Sequence, residues 1–121
     1  MNEMLDKLLA LELPEPAIAQ VEIKRLSRAL GEPYVVTLKE LPYGRVAKLS
    51  RMEEGDVQYV VEGHADPRLT DPRFYEGKMQ CATPAEAAKK LYNAGEIRRM
   101  ARTLDRLNGF GGDAVEDVKK N

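Results

Sequence analysis

TPAEAAKKLYNAGEIRRMARTLDRLNGF, residues 83–110, is the stretch whose reading decides the fold. Thr83 stands where a helix N-cap accepts a backbone hydrogen bond, Pro84 brings the preset φ of a first helical position, and Glu86 is placed to reach back as the second half of a capping box. A helix is therefore predicted from Thr83 to about Tyr92. A second begins near Asn93 and carries Ile97, Met100, Ala101, Leu104 and Leu107 on one face. Asn108-Gly109 ends it, because glycine takes the left-handed conformation after a helix without steric cost, and Gly111-Gly112 extend the break. These glycines follow a helix, whereas a phosphate cradle leads from a strand into one, so they read as a stop signal.

Arg98, Arg102 and Arg106 recur every fourth residue along the second helix and share a face. With Arg99, residues 93–108 hold four arginines against Glu96 and Asp105, a local excess of two positive charges. Phosphate binding usually shows a larger basic excess, and single-strand binding adds aromatic platforms, of which two Phe and five Tyr are the whole supply. The stripe reads first as a solvated helix face, and as a docking surface for an acidic partner second.

Working outward, QVEIKRLS (residues 20–27) alternates Val21 and Ile23 with Glu22 and Lys24, and PYVVTLKEL (33–41) is rich in β-branched and aromatic types. Together they predict a β-hairpin turned by RALGEP, where Gly31 and Pro33 favour chain reversal. After Pro42, the spacing of Val46, Leu49 and Met52 suits a short helix closed by Gly55. Residues 57–64 carry two signals: Val57, Val60, Val61 and His64 keep a helical period while their types prefer strands; the period favours helix. Asp66-Pro67 and Asp71-Pro72 mark a loop.

At the start, Met4, Leu5, Leu8, Leu9 and Leu11 alternate with Glu3, Asp6, Lys7 and Glu12 in an amphipathic helical period that stops at Pro14-Glu15-Pro16, an extended linker. Such a helix either packs on the core or serves as a detachable docking helix. The acids among its leucines and the lack of a basic leader or small-residue cleavage site do not read as a signal peptide, so the cytosol is the expected compartment. The whole pattern predicts an α+β fold: an N-terminal helix and β-hairpin followed by a predominantly α-helical C-terminal part. Three units are expected, an N-terminal helix with proline linker (1–16), one α+β domain (17–112) and a polar mobile tail (113–121).

Composition bounds the chemistry. The 121 residues fit one domain, 43% apolar and 32% charged, and no apolar run approaches the roughly 18 residues of a membrane span. Nineteen basic against twenty acidic residues give no global field toward nucleic acid. A lone cysteine, Cys81, excludes an internal disulfide, and with His64 as the one histidine no Cys/His metal cluster can be assembled. Ser50, His64 and Asp66 lack the glycine-flanked elbow that presents a hydrolase nucleophile. Glu53-Glu54 and Glu116-Asp117 are adjacent in sequence, which does not place two acids across a pocket.

Taken in order, VEIKRLSRALGEPYVVTLKEL, ADPRLTDPRF, TPAEAAKKLYNAGEIRRMARTLDRLNGF and VEDVKKN resemble the XkdN-like phage tail assembly chaperones. The resemblance spans residues 18–121, and its most specific piece runs from Gly95-Glu96-Ile97 through Leu104 and Leu107 to Asn108-Gly109-Phe110. It implies a non-enzymatic protein of long-tailed phages or prophages, working in the bacterial host cytoplasm without a cofactor and absent from the mature virion. Such a protein binds the tape measure protein before the tail tube polymerises around it. The resemblance also implies a longer, frameshifted form that could meet tail tube subunits; Lys119-Lys120-Asn121 fit A-rich slippery codons. Leu5, Leu8 and Leu9 on the first helix and Arg98, Arg102 and Arg106 on the last are the candidate partner-binding residues, with self-association left open. A small nucleic-acid-binding regulator using the arginine face is the competing reading.

Overall fold

The computed structural model describes residues 2–118, so Lys119-Lys120-Asn121, where a frameshift site is expected, lie outside the described residues. The β-branched run of residues 35–39 forms the central strand, and strand pairing follows from it. β1 (Ile18–Glu22) and β2 (Val35–Lys39) are antiparallel, with Ala19 opposite Leu38 and Val21 opposite Val36. A third strand, β3 (His64–Asp66), pairs antiparallel with the other edge of β2, giving the order β1-β2-β3. In β2 the side chains alternate: Val36 and Leu38 are fully buried while Val35 and Lys39 face out, as a sheet with one covered face requires.

The hairpin is present, but its connection differs from the sequence expectation. Residues 24–27 are not strand: the alternation ends at buried Ile23, and Lys24–Leu30 form helix α2. Apart from Ser27 these are strong helix formers with no β-branched residue among them, so local propensity wins once pairing stops. Gly31, at φ +79°, terminates α2 in the left-handed conformation, its N–H bonded to the Ser27 carbonyl at 2.9 Å. The Ser27 hydroxyl donates to Glu22 at 2.7 Å and accepts from the Tyr34 amide at 2.8 Å, fixing the return into β2.

Helices α3 (Tyr43–Leu49) and α4 (Gly55–Gly63) follow β2, tied by Arg45, whose guanidinium donates to both oxygens of Glu62 at 2.8 and 2.6 Å. Gly55 does not close α3; it opens α4. A β-carbon at Gly55 would overlap the Leu49 carbonyl, so glycine is needed there for close backbone approach. Residues 57–63 are helical and His64 begins β3, which resolves the double signal: Val57, Val60 and Val61 are buried, and burial outweighs the strand preference of valine. A single π-helical turn, Arg73–Lys78, occupies the segment after Asp71-Pro72 that the sequence marks only as loop.

Helix α5 (Pro84–Leu91) and helix α6 (Ala94–Leu107) match the opening prediction closely. Thr83 caps α5 through the Glu86 amide at 3.2 Å, yet the reciprocal half is not formed, because Glu86 pairs with Lys89 at 3.1 Å. The complete capping box sits on α6: Asn93 Oδ1 accepts from the Glu96 amide and Glu96 Oε1 from the Asn93 amide, both at 2.9 Å. α6 lays Ile97, Met100 and Leu104 across α4 and the covered face of the sheet. The fold is α+β, with N-terminal helix, small antiparallel sheet and mostly helical C-terminal part.

Candidate functional site

Helix α1 (Glu3–Ala10) starts at Asn2, whose side chain accepts from the Leu5 amide at 3.0 Å, with Glu3 and Asp6 in its first turn complementing the helix dipole. It is a well-capped helix that buries nothing. Leu5 is 47% exposed, Leu8 57% and Leu9 75%, and Met4, Leu11 and Leu13 are also open. Of the two sequence readings, core packing is not what the fold provides: no residue of α1 is buried. Residues 11–17 form no regular secondary structure and pass through Pro14 and Pro16, and the far end is fastened where the Ala17 amide donates to Glu40 at 2.6 Å.

The arginine stripe is equally open. Arg98, Arg99, Arg102 and Arg106 are exposed, and among the described residues none of them forms an ion pair. Glu96 and Asp105, the acids nearest in sequence, are committed elsewhere. Arg25 on α2 grips both Glu96 oxygens at 2.8 and 3.1 Å and the Leu91 carbonyl at 2.7 Å, holding the Glu96 carboxyl below its ordinary pKa. Asp105 accepts from the Tyr59 hydroxyl at 2.9 Å. That hydroxyl also accepts from Asn108, and burial, with Asp105 beside it, pushes the phenol up to about 12. The two groups of sequence-predicted residues thus lie on separate elements, the leucines on α1 and the arginines on α6.

Sequence reasoning missed a third surface. Val46 and Leu49 of α3, Met52 after it, Tyr59 of α4, Ala101 of α6 and Phe110 beyond it line an open apolar groove of about 450 Å³. Met52 and Phe110 are exposed at its rim, and Asp56 and Asp105 add carboxylates to the lining. A volume of this size is typical of small clefts, about 300–1,000 Å³.

Residues considered for catalysis are occupied otherwise. Ser50 is exposed and donates to the Ala47 carbonyl at 2.8 Å. His64 is buried, with Nδ1 2.7 Å from the Val60 carbonyl and Nε2 2.8 Å from the Tyr92 hydroxyl, which in turn lies 2.8 Å from that of Tyr34. A carbonyl only accepts, so Nδ1 carries the proton, Nε2 accepts from Tyr92, and Tyr92 accepts from Tyr34. Burial pushes the Tyr92 phenol up and the His64 imidazolium down. This closed network joins the sheet to α4 and α5. Cys81 is half-buried, its thiol 3.4 Å from the Met79 carbonyl. Among the described residues no three His, Cys, Asp or Glu converge to hold a metal, and no helix is long and apolar enough to cross a membrane.

No family model and no curated protein matches the chain. Among solved structures it is similar to the crystal structure of the protein YqbN, a structural genomics target, at a TM-score of 0.67 and 17% identity, over 83% of this chain and 91% of that one. At that identity the likeness shows the fold alone.

Proposed function

We propose that this protein is a phage tail assembly chaperone of the XkdN-like kind, a non-enzymatic holder of the tape measure protein in the bacterial cytoplasm. The observation that carries the reading is α1, a capped amphipathic helix whose leucines stay exposed among the described residues. A tape measure is a very long, largely helical chain with apolar stripes, and unprotected stripes of that kind aggregate. α1 on its proline linker offers a matching helical stripe that can lie along them and be displaced when tube subunits arrive. The ordered sequence segments that resemble the family support the same reading. A frameshift-extended form would carry additional contacts to tube subunits.

A nucleic-acid-binding regulator is the second reading, favoured by the four exposed arginines of α6, which form no ion pair among the described residues. Co-expression with the long helical protein encoded just downstream separates the two. A soluble complex recovered by pull-down, lost in a folded Leu8→Glu/Leu9→Glu variant, is the expected result. Absence of both a complex and any gain in solubility would refute the chaperone reading. An undiminished complex with that variant would remove α1 from the binding surface.

A further inference from the structure

The outward face of α6 gathers arginines. Arg98, Arg102 and Arg106 stand about 6 Å apart along the helix, opposite the buried Ile97, Met100 and Leu104, and Arg99 flanks them. All four are exposed and form no ion pair among the described residues. The two acids of α6 turn to other partners, Glu96 to Arg25 and Asp105 to the Tyr59 hydroxyl. Like charges four residues apart oppose helix formation, so carboxylates brought from outside would relieve the row. At its Arg98 end a small cleft of about 270 Å³ opens between α4, α5 and α6. Its apolar walls are the buried Val57, Tyr92 and Ile97, with exposed Ala94 beside them. Of the charged groups lining it, Asp56 accepts from the Val57 amide at 2.9 Å and Lys89 is held by Glu54 and Glu86, whereas Arg98 belongs also to the row.

We infer that this surface docks an acidic amphipathic helix of a partner protein, its carboxylates on Arg98, Arg102 and Arg106 and one aliphatic side chain in the cleft. Charge selects the occupant. Glutamates or aspartates four residues apart on a partner helix repeat at the same step as the arginines, and a guanidinium meets a carboxylate through two parallel hydrogen bonds. The fold already uses that fork, where Arg25 holds Glu96 and Arg45 holds Glu62 through two nitrogens each. The cleft favours a protein over a nucleic acid. It is smaller than the roughly 300–1,000 Å³ of a small-molecule site and suits a side chain. It offers a base no stacking platform, since α6 has no aromatic residue and Tyr92 is only 3% exposed. A continuous phosphate backbone along the row would also meet Asp56 in the cleft and Asp105 one turn from Arg102, whereas carboxylates set only at every fourth residue need not.

The inference goes beyond the chaperone reading, which rests on α1, and is tested on the purified full chain with a synthetic probe, so failure of one leaves the other standing. The probe is a fluorescein-labelled helical peptide with three glutamates spaced four residues apart and a leucine one turn beyond each end of that row, alanine and glutamine filling the rest. Fluorescence anisotropy at low salt should show saturable binding that weakens as salt rises. Glutamine in place of the probe's glutamates, or an Arg98→Gln/Arg102→Gln/Arg106→Gln variant of the protein, should each weaken binding by at least about tenfold. Alanine in place of the probe's leucines should weaken it by at least about threefold. An unchanged melting temperature establishes that the arginine variant folds. No binding of the probe, equal binding of the glutamine peptide, or equal binding by the arginine variant would overturn the proposal. So would a single-stranded DNA or RNA oligonucleotide of matched charge that binds the wild type as tightly as the peptide, which means that the row reads phosphate. Indifference to the leucines would overturn the part assigned to the cleft.

Discussion

Lowering the pH from near 7 toward 4 protonates a side chain that this fold holds neutral. His64 is 6% exposed, its Nδ1–H is given to the Val60 carbonyl, and its Nε2 lone pair receives the Tyr92 hydroxyl. A second proton on the ring must enter where Tyr92 already donates, so the hydroxyl chain to Tyr34 would have to reverse, inside a desolvated pocket. Burial accordingly lowers the pKa from an ordinary 6.5 to about 4. A depressed histidine pKa means that the unfolded chain binds the proton first as pH falls. The resulting stability is complete above 6.5, declines below it, and is lost by about 4. At about 1.4 kcal/mol per pH unit, the interval from 6.5 to about 4 amounts to about 3 kcal/mol, a large share of the roughly 5–15 typical of a domain.

The carboxylates do not obscure this window. Glu62 and Glu96, held below 4.5 by Arg45 and Arg25, and Asp71, held at about 2 by Arg73, lose their contributions only as pH falls below their ordinary values of 4.5 and 3.8. Urea unfolding followed by circular dichroism at steps between about pH 7 and 5 should therefore show about 2 kcal/mol of loss. A His64→Gln variant should be less stable at neutral pH and nearly flat over the same steps. A flat wild-type profile, or a variant as steep as the wild type, would refute the assignment of this dependence to His64.

The packing makes further predictions. Gly63→Ala should cost about 1–3 kcal/mol in thermal or urea unfolding, because a β-carbon there would come within 2.6 Å of both Leu104 methyl groups where α4 crosses α6; an unchanged midpoint would mean that this crossing is loose. Asn93→Ala removes the cap side of the α6 box and should cost about 1 kcal/mol by the same assay. Leu8→Glu/Leu9→Glu should leave stability within about 0.5 kcal/mol, since neither side chain is buried, and a larger loss would show that α1 contributes to the core. On the proposed chaperone reading, Arg98→Ser/Arg102→Ser/Arg106→Ser should leave DNA and RNA mobility unchanged even at low salt, whereas a wild-type gel shift abolished by these substitutions and by added salt would favour the regulator reading.

The sequence was most informative where burial is one-sided and continuous. α6 was legible because Ile97, Met100 and Leu104 keep a helical period over fourteen residues bounded by a cap and a glycine. α2 was not, since its one apolar repeat, Leu26, Ala29 and Leu30, is only a turn long and the β alternation of Val21 and Ile23 runs up to its first turn. The capping boxes show the same limit at finer scale. Thr83/Glu86 and Asn93/Glu96 have equal local spacing, but Glu86 is drawn to Lys89 while Arg25, from a distant helix, steadies Glu96 in the reciprocal position. The candidate partner-binding leucines were named from an amphipathic pattern that reads alike for a core helix and a free one; only the lack of any buried residue in α1 distinguishes them. The groove was invisible because residues from 46 to 110 meet in it through tertiary folding alone.

On the proposed chaperone reading, the unburied helix and the packed body suit a task that ends in release. An isolated helix of eight residues is marginal in water, below the roughly 12–15 at which even favourable sequences hold, so α1 draws much of its stability from whatever it packs against. Ordering it on contact consumes part of the interaction energy, which keeps affinity modest for the apolar area covered and makes the contact easy to displace. Had the leucines been part of the core, the proposed covering of a client would have required opening packed interfaces such as that of α4 with α6, where Gly63 and Leu104 are in close contact. Placing them on a proline-linked helix separates the stability of the body from the strength of the grip.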